Sequence, residues 1–502
     1  MSFEIDVEKI KNEALQCAEK LCMNDPKTAE SVLEQYLIVD NDDQKANKLM
    51  GIVKLRKNQF KESIAFFQKV LDKFPDDSEC YNDMALAYAA DDDLNMAQSC
   101  MQKAIEINPD NYYFYSNLAL HLRQKGNYKE ALNLFDKAIS INPKDATLWI
   151  NKGGIFGEMK QTEKARECFE KALEIDPNSA AAHVDKAFSL HLEKKWKEGF
   201  EEFEWRFSQF HNLSYYKNAY DPNKKWDGKK YLNGKRTILY CEQGMGDAIH
   251  FIRYAKMLKK AGSYNIVHCA PALDSMFQRI EGVDETFNRD IVNNKGDEIP
   301  EHDYHCSIMS LPHLLDYYEI DGNPYMDSIV TFEMKEHYKD TYNIGISWAG
   351  SPAHANDKGR SFHLSNFRKI HNLDKVKLFS LQTDIRKRMY FSQNMEPLDL
   401  SDNCEDLKIV DLTTMIQTFE DSATFVTGLD LVISCDTALV HLCGALGVEC
   451  WACIPYNCDW RWGLDGETTE WYNSVRLFRQ PKPGDWDSVF NNIKEELSKR
   501  IV

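Results

Sequence analysis

Two different patterns of apolar positions divide this chain. Up to about residue 208, apolar and small residues recur at helical spacing. From about residue 236, short apolar runs alternate with helical stretches. The first pattern predicts packed helices, and the second predicts parallel sheets built from β-α-β units. We therefore expect an all-α part followed by an α/β part.

The helical part repeats itself every 34 residues. Pro75, Pro109, Pro143 and Pro177 are each 34 residues apart. Residue types recur at the same period in three further sets: Tyr81, Tyr115 and Trp149; Ala97, Ala131 and Ala165; Met101, Phe135 and Phe169. This period is typical of tetratricopeptide repeats, which stack into a solenoid. We expect an array over 1–208, with clear repeats at about 44–180 and degenerate ones at both ends.

The concave groove of such a solenoid commonly holds an extended peptide or a partner protein. The alternative is that the array only spaces the molecule or pairs it into a homodimer. Both interpretations stay open on the sequence alone.

The helical period is lost at 209–235, a stretch rich in Asn, Lys, Gly and aromatic residues. This composition predicts a linker, and with it a chain that folds by itself from about residue 210. Eight strands are expected further on, near 237, 265, 304, 343, 377, 408, 430 and 449. They suggest two lobes, at 236–335 and 342–502. Ligands of such sheets bind at the carboxyl ends of the strands, so the loops after 241, 348 and 434 are of most interest.

Charge and composition narrow the function. The formal net charge of −18 argues against a nucleic-acid partner and disfavours an anionic membrane surface. No run approaches 18 apolar residues, and the polar, acidic N-terminus is unlike an export signal. We therefore expect a cytoplasmic protein with reduced thiols. Cys450 and Cys453 lie on opposite faces of an expected strand, a poor geometry for chelation, and no metal site is expected.

The loop after 434 is a candidate anion site. Asp436 and Thr437 follow a strand and precede a helix rich in small residues. The amides and dipole of a helix start attract an anion such as a diphosphate. The Thr437 hydroxyl can add a donor, and His441 lies one turn along. The alternative is that Asp436 or Thr437 caps the helix while His441 packs inside.

The loop after 348 carries His354, Lys358, Arg360 and Ser361 between glycines and a proline. Its cations could meet a phosphate from the other side. The alternative is a flexible surface loop.

The loop after 241 reads Gly244-Met245-Gly246-Asp247. It lacks the third glycine of the dinucleotide fingerprint and the Gly-Lys-Ser/Thr of a phosphate loop. Asp247 would repel a phosphate, so we interpret it as a general base facing a neutral hydroxyl. A helix N-terminus should lower the pKa of this carboxyl and weaken it as a base. The alternative is that Asp247 only complements the helix dipole.

Several motifs together resemble a known family. "MGDAIH" (245–250) and "DTALVH" (436–441) are similar to the two signature loops of the lipopolysaccharide heptosyltransferases, glycosyltransferase family 9, which have a GT-B fold. "WAGSPAHANDKGRS" and "PYNCDWRWGLDGETTEWYNSVRLFRQ" resemble bacterial tetratricopeptide proteins with a related transferase domain. The layout also resembles the O-linked N-acetylglucosamine transferases.

The resemblance implies a role for each loop. Asp247 matches the proposed base, and 436–441 matches the donor loop with Asp436, Thr437 and His441. A donor-phosphate cation is implied in the loop after 348, where Lys358 or Arg360 would serve. Further substrate contacts are expected at Gln243, Gly244, Gly246, His250, His354, Ser361 and Arg461.

We thus expect an α + α/β protein, a tetratricopeptide solenoid followed by a bilobed GT-B module. The expected activity is inverting, metal-independent transfer from a nucleotide-diphosphate sugar, without a cofactor, to a hydroxyl of a protein held by the repeats. One alternative acceptor is a surface polysaccharide or lipid-linked glycan. A different alternative is an interaction scaffold whose transferase domain has degenerated.

Overall fold

The computed structural model describes residues 7–209, 219–290, 295–354, 356–383 and 405–501. Its contacts divide the chain into two compact units, Met1–Ala182 and His183–Val502. Each unit is built from a different kind of element, as the apolar pattern predicts.

The first unit consists of helices joined by short turns. In chain order they are α1 Val7–Leu21, α2 Pro26–Val39, α3 Gln44–Arg56, α4 Phe60–Lys73, α5 Ser78–Ala90, α6 Leu94–Ile107, α7 Tyr112–Gln124, α8 Tyr128–Ile141, α9 Ala146–Glu158 and α10 Thr162–Ile175, with α11 Ala180–Leu192 beginning at its end.

The residues that recur in the sequence form the core of this unit. Ala97, Ala131 and Ala165 are fully buried, and Phe135 and Phe169 pack inside the stack. Small residues allow paired helices to approach, and the aromatic rings fill the space between them. The prolines each follow the end of a helix by two residues, where the missing N–H costs nothing. The predicted helical solenoid is confirmed.

The second unit mixes short helices with strands. Its helices after α11 are α12 Trp196–Phe203, α13 Arg206–Gln209, α14 Met245–Phe251, α15 Ala255–Lys260, α16 Asp274–Phe277, α17 Leu311–Leu314, α18 Met334–His337, α19 Asp357–Arg360, α20 Phe419–Val426, α21 Ala438–Leu446 and α22 Trp486–Arg500. Its strands are β1 Arg236–Tyr240, β2 Tyr264–His268, β3 Glu285–Phe287, β4 Arg289–Asp290, β5 Lys295–Gly296, β6 Tyr304–Ser307, β7 Tyr342–Ser347, β8 Val376–Ser380, β9 Val410–Asp411, β10 Leu431–Cys435, β11 Cys450–Ile454 and β12 Val475–Arg479.

These strands form two parallel sheets and one small hairpin. The first sheet has the order β3-β2-β1-β6, and the second has the order β12-β11-β10-β7-β8-β9. Strand β10 lies between β7 and β11, with Leu431 opposite Ile344 and Val432 opposite Cys450. Both sheets are parallel throughout, and only β4 and β5 pair antiparallel. All eight predicted strands are present, and each sheet lies within one predicted lobe.

The faces of β11 confirm one prediction about cysteine. Cys450 packs into the apolar cluster on one side of the second sheet, and Cys453 packs into the cluster on the other side. Successive positions of a strand alternate between faces, so a spacing of three separates the two thiols.

The end of the helical region differs from the sequence interpretation, which extended the array to residue 208. The structural division places 183–208 in the second unit. Val184, Phe200 and Phe203 are buried there in the same apolar cluster as residues of the strands. Apolar contact with the sheets, which no local pattern reveals, decides this membership.

The predicted linker is also not a free connector where the structure describes it. Within 219–235, Tyr220, Trp226 and Leu232 are buried. The Trp226 backbone N–H donates to the carbonyl of His305 at 2.9 Å, beside strand β6. The remaining linker residues, 210–218, lie outside the described residues.

Candidate functional site

The loop after β1 is short and ends in the N-terminus of α14. Gln243 has a φ of 63°, which turns the chain sharply, and Gly244 is the N-cap residue. Asp247 Oδ2 accepts a hydrogen bond from the Gly244 backbone N–H at 3.0 Å. Asp247 therefore satisfies one of the amides that a helix start leaves without an intrahelical acceptor.

The other oxygen of Asp247 binds an arginine from the second sheet's side of the unit. Arg461 Nη2 donates to Asp247 Oδ1 at 2.5 Å, while Arg461 Nη1 donates to both oxygens of Asp459 at 2.9 and 3.0 Å. The guanidinium lies over the Trp460 ring at 4.4 Å. Asp247 and Arg461, 214 positions apart in sequence, thus form one ion pair.

The environment of Asp247 corrects the expectation for its pKa. Burial raises the pKa of this carboxyl, and the neighbouring Asp459 raises it further. Arg461 and the Gly244 N–H act in the opposite direction without cancelling the effect of burial. Desolvation penalises the charged form more than the helix start favours it, so the carboxylate is a stronger base than the sequence suggests.

The loop after β10 lies next to this pair. Gly246 is so close to α21 that a Cβ built on it would lie 2.9 Å from His441 Cδ2 and 3.3 Å from Ala438 Cα. The loops after β1 and β10 therefore approach each other through a glycine. A side chain at position 246 would force them apart.

Helix α21 starts without a side-chain cap. Thr437 is its N-cap residue but makes no capping hydrogen bond, and its hydroxyl lies 3.3 Å from the Ser434 hydroxyl. The interpretation of Thr437 as a simple cap is therefore wrong. Asp436 is buried, and burial together with the nearby Asp459 raises the pKa of its carboxyl to about 6.

Both predicted histidines are buried and share one partner. His250 Nδ1 and His441 Nδ1 lie 2.8 and 2.9 Å from the Tyr472 hydroxyl. Burial lowers the pKa of each imidazole well below its usual range, so both rings are neutral at pH 7. The hydroxyl can donate to one ring only, so the other ring must donate Nδ1–H to it. His441 also stacks on Trp462, with ring centroids 5.3 Å apart.

The loop after β7 divides into structural and exposed positions. Ser361 is buried, where its hydroxyl donates to Asp357 at 2.9 Å and accepts from the Gly350 N–H at 3.0 Å. Arg360 Nη1 donates to the Asp436 backbone carbonyl at 3.0 Å. This second arginine therefore adjoins the start of α21.

The other two positions of this loop are exposed. Lys358 has an exposed side chain, and so has His354. Desolvation lowers the pKa of the His354 imidazole, and the Arg360 charge lowers it further. Arg360 is thus the predicted cation whose contact with the 436–441 loop the structure records.

A cleft of about 440 Å³ opens at the carboxyl ends of β1, β2 and β3. Gln243 and Gly244 lie on its wall, with His268 and Asn288 on the neighbouring loops. Clefts at this edge of a parallel sheet are the usual ligand sites of such folds.

A buried ion pair underlies the same loop. Arg206 Nη2 donates to Glu242 Oε1 at 2.6 Å, and both side chains are completely buried. Arg206 also donates to Glu204 at 2.8 Å. Removing one partner of such a pair leaves an uncompensated buried charge, so the pair fixes the strand end from which 243–247 departs.

Sequence reasoning missed Tyr472, Asp459, Glu242 and Arg206. Tyr472 and Asp459 lie in the stretch "PYNCDWRWGLDGETTEWY", whose density of aromatic and charged residues was the only local signal. Glu242 lies next to a predicted loop, but nothing local connects it with Arg206.

Neither a metal cluster nor a spanning helix is found within the ranges described. No group of three or more His, Cys, Asp or Glu side chains there could hold a metal ion. No helix among those residues has the length and apolar character that crossing a membrane requires.

Comparison with known proteins identifies the first unit. Tetratricopeptide-repeat models match residues 78–111 and 113–178. No protein of curated function matches the chain.

Solved structures similar to the chain are tetratricopeptide-type proteins. One is MamA, at 20% identity, 34% coverage of this chain, 98% of that chain and a TM-score of 0.30. Another is a thermophilic TPR protein of Thermus thermophilus, at 17% identity, 36% and 98% coverage and a TM-score of 0.33. A third is YrrB, described as a TPR protein with an unusual peptide-binding site, at 16% identity, 38% and 98% coverage and a TM-score of 0.29.

Proposed function

We propose that this chain transfers a sugar from a nucleotide-diphosphate sugar to a hydroxyl group of a protein, with a GT-B arrangement of its two sheets. The observation that carries the proposal is the meeting of two loops, each from the carboxyl end of a parallel sheet, at Gly246, Asp247 and Asp436. Two such strand ends facing each other suit a reaction between two substrates.

The start of α21 would receive the donor diphosphate. Its first amides lack a side-chain cap, and Arg360 adjoins them through the Asp436 carbonyl. Arg461, with its buried guanidinium, is the second cation beside this loop. Amides and guanidinium groups aimed at the leaving diphosphate would stabilise the negative charge that develops as the glycosidic bond breaks.

Asp247 would take the proton of the acceptor hydroxyl. Its raised pKa brings the carboxylate closer to the operating pH, which suits a general base. The cleft beside Gln243 and Gly244 would hold the acceptor on the same side. Direct attack of the deprotonated hydroxyl on the anomeric carbon would invert its configuration.

The repeat array supports a protein as acceptor or partner. Tetratricopeptide solenoids commonly bind peptides and proteins along their concave face. The same observation supports a second candidate function, an interaction scaffold without catalysis. A glycan acceptor would use the cleft but not the array.

A donor panel separates these functions. The full chain is heated with UDP, GDP, ADP, CMP and dTDP sugars, and the donor that raises the melting temperature is assayed for hydrolysis and for transfer to protein. A transferase is expected to be stabilised by one nucleotide class and to hydrolyse that donor slowly. No stabilisation and no turnover with any donor would leave the scaffold as the function.

A further inference from the structure

Arg461 holds more charge than its surroundings require. Its side chain is 5% exposed and binds two carboxylates, Asp247 and Asp459. Its buried Nε–H has no hydrogen-bond acceptor among the residues that the structure describes. A guanidinium presents five N–H donors in a planar fork, the geometry that phosphate oxygens match.

The cluster around this arginine carries an excess of acid. Asp247, Asp436 and Asp459 lie around Arg360 and Arg461, and the pKa of Asp436 responds to both arginines and to Asp459. An incoming diphosphate would meet these carboxylates unless the arginine exchanged partners. Asp247 and the anion therefore compete for the same guanidinium.

We propose that Arg461 is an anion-operated latch: without a bound anion it holds Asp247, and a diphosphate releases Asp247 by taking over Nη2 and the free Nε–H. The inference rests on the proposed function and concerns the regulation of the same site. Arg461 keeps Asp459 through Nη1, so only one of its two ion pairs must break.

The latch would order the reaction. With no donor bound, Asp247 is neutralised by Arg461 and cannot accept a proton efficiently. Once the donor diphosphate binds, the carboxylate is freed beside the acceptor cleft. The base becomes active only when there is a sugar to transfer.

Thermodynamic linkage makes the latch measurable without any sugar. If the anion must displace Asp247, removing the Asp247 charge must strengthen anion binding. A merely structural ion pair predicts the opposite, because breaking it would loosen the site. The probe is inorganic diphosphate, titrated calorimetrically into the full chain.

The experiment compares Asp247→Asn with a matched carboxylate. Asp247→Asn is expected to bind diphosphate roughly tenfold more tightly than the parent. Asp436→Asn removes a neighbouring charge that makes no hydrogen bond to Arg461 in the described structure, and a gain of at most about threefold is expected. This control separates the latch from general repulsion.

Arg461→Gln completes a double-mutant cycle. It should weaken diphosphate binding, and Asp247→Asn should give no further gain in its presence. Melting temperatures report whether each variant folds, and Arg461→Lys replaces Arg461→Gln in the cycle if the latter does not.

Three results would overturn the latch: undetectable diphosphate binding to the parent, an unchanged affinity in Asp247→Asn, or equal gains in Asp247→Asn and Asp436→Asn. Failure of the proposed function is distinguishable from these. A chain that turns over no sugar nucleotide but shows the predicted cycle retains the latch and loses the enzyme. An active enzyme with a flat cycle loses only the latch.

Discussion

At the residue scale, Asp247 combines a structural and a chemical role. One oxygen binds the Gly244 amide and the other binds Arg461. Asparagine keeps the shape and an acceptor for the amide but cannot take a proton. Asp247→Asn should therefore fold while its turnover rate falls about 10²- to 10⁴-fold, the usual contribution of a general base. Single-turnover transfer at saturating donor measures this loss.

The chain offers a matched control for the capping role. Asp421 occupies the same position in α20, where its Oδ2 accepts from the Thr418 backbone N–H at 2.8 Å. Asp421→Asn should cost a similar amount of stability and leave turnover unchanged. Equal losses of turnover in both variants would mean that helix capping, not proton transfer, explains the effect of Asp247.

A second prediction concerns a buried histidine that has no polar contact. His191 is fully buried between rings that include Phe200 and Trp460, and neither ring nitrogen has a hydrogen-bond partner within the described residues. Burial lowers the pKa of His191 to about 3. Between pH 6.5 and 3 the unfolded chain therefore binds a proton that the folded chain does not. The free energy of unfolding should fall by about 1.4 kcal/mol per pH unit through this group.

His191→Met removes that contribution at nearly constant volume. Stability at pH 7 should be equal or higher, and its decline between pH 6.5 and 5 should become shallower by about one proton. Urea unfolding at several pH values measures the slope. His363→Met, at an exposed position, should keep the parent slope. A parent-like slope in His191→Met would show that the buried ring is protonated in the folded state.

At the scale of elements, the end of the array moves the boundary at which the chain can be cut. Val184, Ala187, Phe200 and Phe203 are buried in the main apolar cluster of the second unit. A fragment that starts at residue 180 should fold cooperatively. A fragment that starts at 210 loses these side chains and should be less stable by roughly 5 kcal/mol or more. Urea midpoints of the two fragments measure the difference, and equal midpoints would restore the sequence boundary.

Elements with a strong local pattern could be predicted, and elements without one could not. The 34-residue period predicts the solenoid because every repeat buries the same positions. Strands β1, β2 and β6–β11 follow apolar runs, as buried parallel strands do. Strand β3 has only three residues, and β12 carries Arg476 and Arg479 within five positions, so neither produces an apolar run.

The candidate site could be predicted only as a set of loops. The strand ends at 241, 348 and 434 indicate where polar side chains gather. Their pairing is a tertiary property: Tyr472 joins His250 across 222 positions and His441 across 31. No local spacing encodes such a contact. For the same reason, Ser361 was expected to contact substrate but is buried in its own loop.

For the whole molecule, the charges around the site predict activity without a metal ion. Arg360, Arg461 and the start of α21 can balance a diphosphate, the task that a divalent cation performs in metal-dependent transferases. Transfer in EDTA should equal transfer in Mg²⁺ within about twofold. The same preparation is assayed in both buffers. Loss of activity in EDTA that Mg²⁺ or Mn²⁺ restores would disprove the metal-free mechanism.

The spacing of contacts along the chain also sets the order in which the protein matures during synthesis. The helices of the first unit pack mainly against neighbours in sequence, so they can form while translation continues. The Asp247–Arg461 pair needs residues 214 positions apart, and the second sheet needs β12 near the C-terminus. A nascent chain therefore presents its repeat surface to a partner before its candidate site exists.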